Sequence, residues 1–205
     1  LNHLPIRGKI DDSALEIIPN GGILVENGSI AEVGDFEDLR QKLTQSIEIE
    51  EIKGEQVCLP AWIDAHTHIC FGGNRANDFA MRNAGKSYLE IAESGGGIWS
   101  SVLHTRAATE EELLNSLLKR IDFLLKLGIA TIEIKSGYGL DVENELKMLR
   151  VIKKAQDKTQ ATLVSTCLSA HVKPRDFTGS SQEYLNIILH EILPIVKEEN
   201  LAKRV

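Results

Sequence analysis

From Cys58 onward the chain alternates short apolar runs with longer stretches of helical spacing, and that order constrains the fold more than anything else in it. "CLPAWIDAH", "IATIEIK" (129–135) and "TLVSTCLSA" (162–170) have the length and apolar content of strands buried on both faces. The first two are separated by a helix signal, "TEEELLNSLLKRIDFLLKLG". There Thr109 and Glu112 form a capping box, and Leu113, Leu114, Leu117, Ile121, Leu124 and Leu125 recur at helical spacing up to a stop at Gly128. "DVENELKMLRVIKKAQ" (141–156) offers Asp141 as N-cap and lines Leu146, Leu149 and Ile152 along one face. A third helix is expected from about Ser181, with Ser180 and Glu183 as its capping box and Pro194 to kink or end it. Strands joined by helices run parallel, so residues 58–205 predict a parallel α/β sheet. Three such units are too few to close an eight-stranded barrel. They make an open sheet or the first part of something larger.

Residues 1–57 read differently. Apolar runs Ile23-Leu24-Val25 and Ile30-Ala31-Glu32-Val33 flank Glu26-Asn27-Gly28-Ser29, and Asn-Gly in that setting signals a β-hairpin. "IEIEEIKGEQV" alternates apolar and acidic residues as a half-exposed strand does. The expectation is a small β-rich domain, too short for a core of its own. The opening "LNHLPIRGKIDD" has no signal-peptide core, and its missing Met suggests a start further upstream. A net charge of −7 argues against phosphate-backbone binding, so nucleic acid is not expected as a partner. No apolar run reaches the roughly 20 residues that span a bilayer, so no membrane partner is expected either. The cysteines, Cys58, Cys70 and Cys167, are too scattered for a disulfide framework or a Cys-x-x-Cys site, which points to a reducing cytoplasm.

Chemistry concentrates at the ends of the apolar runs. His66 and His68 are two apart, so on a strand they share a side and lie about 6.5 to 7 Å apart, close enough to converge on one ion. Two ligands do not complete a zinc or iron site. His171 ends the third apolar run and is either a further functional group at the same rim or a hydrogen-bonded structural histidine. His104 and His190 read as structural, and His3 is uninformative. In "EIKSGYGL", Gly137 and Gly139 bracket Tyr138 in a loop that is either a plain connection or a source of a ligand-binding hydroxyl. Arg75 and Arg82 follow the histidine pair, and an arginine fork suits a carboxylate, with surface salt-bridging as the alternative. The triple glycine of "AESGGGIWSS" marks a loop of unusual backbone, in a polar, Gly-rich stretch (72–108).

Taken together, "PAWIDAHTHICFGGNR", "SYLEIAESGGGI", "KSGYGLDVENELKMLRVI" and "AHVKP" resemble the imidazolonepropionases of the amidohydrolase superfamily, from about residue 57 to the end, with a weaker trace before it. The resemblance implies the N-terminal part (58–205) of a metal-dependent TIM-like (β/α) barrel, preceded by part of a small β-sandwich domain (1–57). It implies His66 and His68 as ligands to Zn or Fe, Arg75 on the substrate's propionate, and Tyr88, Tyr138 and His171 in contact with substrate. His171 would also act in catalysis by polarising the carbonyl oxygen as charge develops on it. The implied reaction is hydrolytic ring opening of 4-imidazolone-5-propanoate to N-formimino-L-glutamate in histidine degradation, with a possible homodimer as the assembly. Family members commonly carry Gly where Ala61 and Ser169 stand here. They also run to about twice this length, so the remaining metal ligands and the general acid/base are expected beyond Val205, and the 205 residues alone are expected to be inactive. The alternatives are another amidohydrolase, such as a heterocycle deaminase or a different cyclic amidase, and an inactive truncated product.

Overall fold

The computed structural model describes residues 8, 11, 14, 16–44 and 46–205; His3 and most of the opening stretch lie outside them. The chain divides into two compact units, Leu1–Val57 and Cys58–Val205.

In the first unit, strands β1 (Gly21–Glu26) and β2 (Ser29–Asp35) pair antiparallel through a two-residue turn. Asn27 and Gly28 both have positive φ, 52° and 75°, as the tight turn that matches strand twist requires. Helix α1 (Phe36–Lys42) follows at once, capped by the Asp35 carboxylate, and Leu39 is its one buried residue. One short helix cannot cover a two-stranded sheet, and Ile23, Val25, Ile30 and Val33 remain exposed. The strand expected over "IEIEEIKGEQV" does not form. Residues 46–57 are exposed, bend at Gly54–Glu55 and pair with no strand among the described residues.

The second unit is built on a parallel sheet in the order β3 (Trp62–Thr67), β4 (Ile129–Lys135), β5 (Thr162–Thr166). Helix α5 (Glu110–Lys126) makes the first crossover, its capping box between Thr109 and Glu112 formed in both directions. Helix α6 (Val142–Gln156) makes the second, with the Asp141 carboxylate accepting from Asn144 N. Three helices occupy the polar, Gly-rich stretch, where the sequence reading assigns none: α2 (Ala76–Asn83), α3 (Tyr88–Glu93) and α4 (Gly97–Ala107). Helix α3 starts at a complete capping box, Ser87 with Glu90, and the triple glycine is a tight turn into α4 with the unusual backbone expected, φ being 87° at Gly95 and 74° at Gly97. After β5 come α7 (Ser181–Ile187), a π-helical turn (Ile188–Ile192) and α8 (Leu193–Glu198). Pro194 sits in the first turn of α8 directly after the π-helical turn, whose wider winding accommodates the ring and the missing N–H without ending the helical run. The chain then returns along β5, with a parallel bridge between Thr166 and Arg204.

The core lies between the sheet and its crossover helices. Leu113, Leu117 and Ile121 of α5 meet Ile132 and Ile134 of β4 and Leu149 and Ile152 of α6, and all are essentially inaccessible to water. Full burial of the first apolar run is not observed. Trp62 and Ile63 are 64% and 70% exposed, because β3 has one hydrogen-bonded neighbour among the described residues and forms that edge of the sheet. The third run is also shorter as a strand than expected, ending at Thr166.

Leu117 shows the weight of this core. Leu117→Ala should destabilise the protein by about 2 to 5 kcal/mol through lost burial and the cavity left behind. Phe123→Ala on the exposed side of α5 should cost within about 0.5 kcal/mol. Denaturant unfolding of the two variants checks the contrast.

Candidate metal and substrate site

The carboxyl ends of β3, β4 and β5 carry the chemistry picked out in the sequence. A register shift between Asp64 and Thr67 sets three residues of β3 against two of β4. Such a bulge re-aims the side chains it contains. Thr67 is buried: its hydroxyl donates to Glu133 O at 2.6 Å and its amide to the Glu133 carboxylate at 3.3 Å. His66 is exposed and His68 half-buried, with ring centroids 5.6 Å apart. His68 Nδ1 is buried with no hydrogen-bond partner.

Strand β4 serves two environments by alternation. Ile132 and Ile134 face the helical core, whereas Glu133 and Lys135 form a buried ion pair on the other face, side chains 7% and 10% exposed. Burial pushes the Glu133 carboxyl up, but the Lys135 ammonium and the Thr67 amide outweigh it and hold it below the usual carboxylate range. His68 is held below the usual imidazole range, first by burial, then by the positive charges of Lys135, His66 and His171, with Glu133 opposing. A neutral imidazole is the form that ligates a metal.

Tyr138 joins the histidines to an arginine. Its ring centroid lies 5.7 Å from that of His68, and the Arg75 guanidinium carbon stands 5.7 Å from the Tyr138 centroid. Arg75 Nε donates to Ser101 Oγ at 2.9 Å, which leaves Nη2 buried and unpartnered. Beyond Arg75 opens a cleft of about 260 Å³ lined by Asp78, Phe79, Arg82, Tyr88 and Ile91. His171 comes to the same rim. It is exposed, with Nδ1 bound to Leu168 O at 2.8 Å, and it lies beside Gly137, where a side chain would meet its ring at 2.9 Å. The structure thus brings His66, His68, Tyr138, Arg75 and His171 to one end of the sheet, and Tyr88 to the adjoining cleft. His104 and His190 bind carbonyls one turn back in their own helical segments and take no part.

Several supporting residues were not singled out from sequence. Arg120 donates to Ile69 O and Phe71 O and stacks 3.7 Å from the Phe71 ring centroid, fixing the segment after the histidines. Arg106 binds Gly139 O, Asp141 and Asp176, tying α4 to two rim loops. Glu133 had a legible signal, since a carboxylate inside an apolar strand run needs a partner, and Lys135 is two residues away.

Among the described residues no group of three or more His, Cys, Asp or Glu side chains is arranged to hold a metal. The donors that are present fit a metal nonetheless: His68 offers a buried nitrogen without a partner beside a second imidazole.

The chain is similar in sequence to known proteins. A family model described as the imidazolonepropionase-like composite domain of bacteria matches residues 21–43. An imidazolonepropionase of Clostridium tetani is 43% identical over 194 residues, 94% of this chain and 46% of the relative. One from Fusobacterium nucleatum is 45% identical over 190 residues, 92% of this chain and 46% of its own length. Another, from Vibrio parahaemolyticus, is 47% identical over 165 residues, 80% of this chain and 39% of its own. The chain spans about half the length of the curated relatives it matches. By sequence the chain is a homologue of the imidazolonepropionases.

The Glu133–Lys135 pair carries a pH signature. With its folded pKa depressed, Glu133 contributes stability that is present above the unfolded carboxyl value, about 4.3, and is lost as pH falls through the folded value. Glu133→Gln strands the buried ammonium and should cost about 3 to 5 kcal/mol at pH 7. Unfolding free energies of the wild type and the variant should keep a constant difference above about pH 5 and converge below it.

Proposed function

We propose that this chain supplies the first strands of a metal-dependent (β/α) barrel hydrolase that opens the ring of 4-imidazolone-5-propanoate to N-formimino-L-glutamate. Residues 1–57 would belong to its small β-domain. What carries the reading is a pair of buried, unpartnered atoms on either side of Tyr138: His68 Nδ1, suited to a cation, and Arg75 Nη2, suited to an anion. The names of the homologues support the same reaction.

His66 and His68 would hold a divalent ion, Zn or Fe, with further ligands from outside the described residues. Such an ion supplies Lewis acidity and an activated water. Arg75 would take the propionate with the nitrogen left free by Ser101, fixing one end of the substrate. Tyr138, between the arginine and the histidines, would set the ring against the metal side, and Tyr88 would line the cleft at the carboxylate end. His171 would donate to the carbonyl oxygen as charge develops there. No helix among the described residues is long and apolar enough to cross a membrane. The support for a small anionic substrate is local, the free Arg75 nitrogen facing the cleft. A cytoplasmic location and a homodimer complete the reading.

In full-length protein, His66→Ala should abolish both metal retention and turnover of 4-imidazolone-5-propanoate. Metal-free protein with full activity would sink the metal-dependent reading. Arg75→Ala should raise KM about 10- to 100-fold, the worth of one charge-assisted contact. An unchanged KM would instead favour a deaminase of a neutral heterocycle.

A further inference from the structure

One buried group at this rim has no part in the chemistry above. Glu145, in the first turn of α6, has no solvent exposure at all. Its Oε1 accepts the amides of Gly137, Gly139 and Leu140 at 3.0, 2.8 and 2.9 Å. Its Oε2 accepts Gly137 N at 3.1 Å and Ser169 Oγ at 3.0 Å. One carboxylate therefore holds the loop after β4, which carries Tyr138, and the loop after β5, which carries His171. The two loops also touch directly. Leu168 N donates to Ser136 Oγ at 3.0 Å, while Leu168 O is the partner of His171 Nδ1. Gly137, at φ 108°, packs against the His171 ring so closely that a side chain there would displace it.

We propose that Glu145 is a positioning residue that sets Tyr138 and His171 in register with each other, acting through loop amides and Ser169 rather than on substrate. The chemistry of the site calls for this residue type. Three N–H groups of a tight loop point at one spot, and a carboxylate is an acceptor with room for several donors. Glu145 is fully buried, so loss of its oxygens would leave those amides unsatisfied. A carboxylate serving only α6 would be tied to its own element, whereas this one joins the ends of two different strands. Ser169 is what extends the tie to the second loop, and Tyr184 OH, donating to Ser169 O at 3.0 Å, anchors that loop from behind.

The proposal rests on the reading of Tyr138 and His171 as substrate contacts, so its test has one arm that uses substrate and one that does not. In full-length protein, Glu145→Ala should raise hydrogen exchange in segments 136–140 and 167–172 together, and Ser169→Gly in the second alone. With 4-imidazolone-5-propanoate, Glu145→Ala should lower kcat/KM about 100-fold, the cost of a misplacement near 1 Å, and raise KM in the folded protein. Glu145→Gln, which keeps an oxygen for the three amides, should recover activity to within about tenfold of wild type. If Glu145→Ala does not fold, the Gln and Ser169→Gly variants carry both arms. Exchange that rises in one segment only after Glu145→Ala, or activity that falls only with the folded fraction while KM stays put, would overturn the proposal. Wild-type protein without turnover would overturn the proposed reaction instead, and the exchange arm would still decide whether Glu145 couples the loops.

Discussion

Parallel strands cannot be joined by a tight turn, and the second unit follows from that. Each return between β3, β4 and β5 needs a crossover, and the crossovers α5 and α6 bring the apolar surface that buries one face of the sheet. The same wiring gathers every strand-to-helix loop at the carboxyl ends of the strands. Strand direction carries three loops far apart in sequence, around His68, Tyr138 and His171, to the same end of the sheet. The ordering is physical: the helix-facing side holds the fold, and the strand ends are free to carry groups that folding alone does not favour.

Those groups are unfavourable in identifiable ways. Glu133 and Lys135 are desolvated together, and a buried pair of this kind is weak evidence of stabilisation. His68 Nδ1 and Arg75 Nη2 are buried without partners, each at a cost a core would avoid. Leu113, Leu117, Ile121, Met148, Leu149 and Ile152, all nearly fully buried, offset those costs on the opposite face. The first unit shows the converse. With two strands and one short helix it fully buries Leu39 alone among its described apolar residues and leaves Ile23, Val25, Ile30 and Val33 exposed.

How much was legible in the sequence depends on whether a feature is local. The capping boxes at Thr109 and Ser180, the Asn27-Gly28 turn and the apolar stripe of α5 are set by residues within a few positions of each other, and they form as read. The capping box at Ser87 was equally local, but polar surroundings hid it, and three short helices with it. Alternation at 47–57 was local too, yet a strand exists only if a partner does. The site stands between these cases. The histidine pair could be singled out by spacing, and Arg75, Tyr138 and His171 by residue type. Their convergence depends on sheet order and on long-range anchors such as Arg120 and Glu145, which leave no short-range trace.

The field at the rim runs against the charge of the whole chain. The protein carries −7 overall, yet Lys135, His66 and His171 all act on His68 as positive neighbours, and Glu133 offsets them only in part. Arg75 adds a guanidinium on the far side of Tyr138. Burial is the larger cause holding the His68 imidazole below its usual range, and these neighbours add to it. Two neutral imidazoles can ligate a cation but do not complete its coordination. A metal held by His66 and His68 would need further ligands, and carboxylates among them would offset the ion's charge together with those of Lys135 and Arg75.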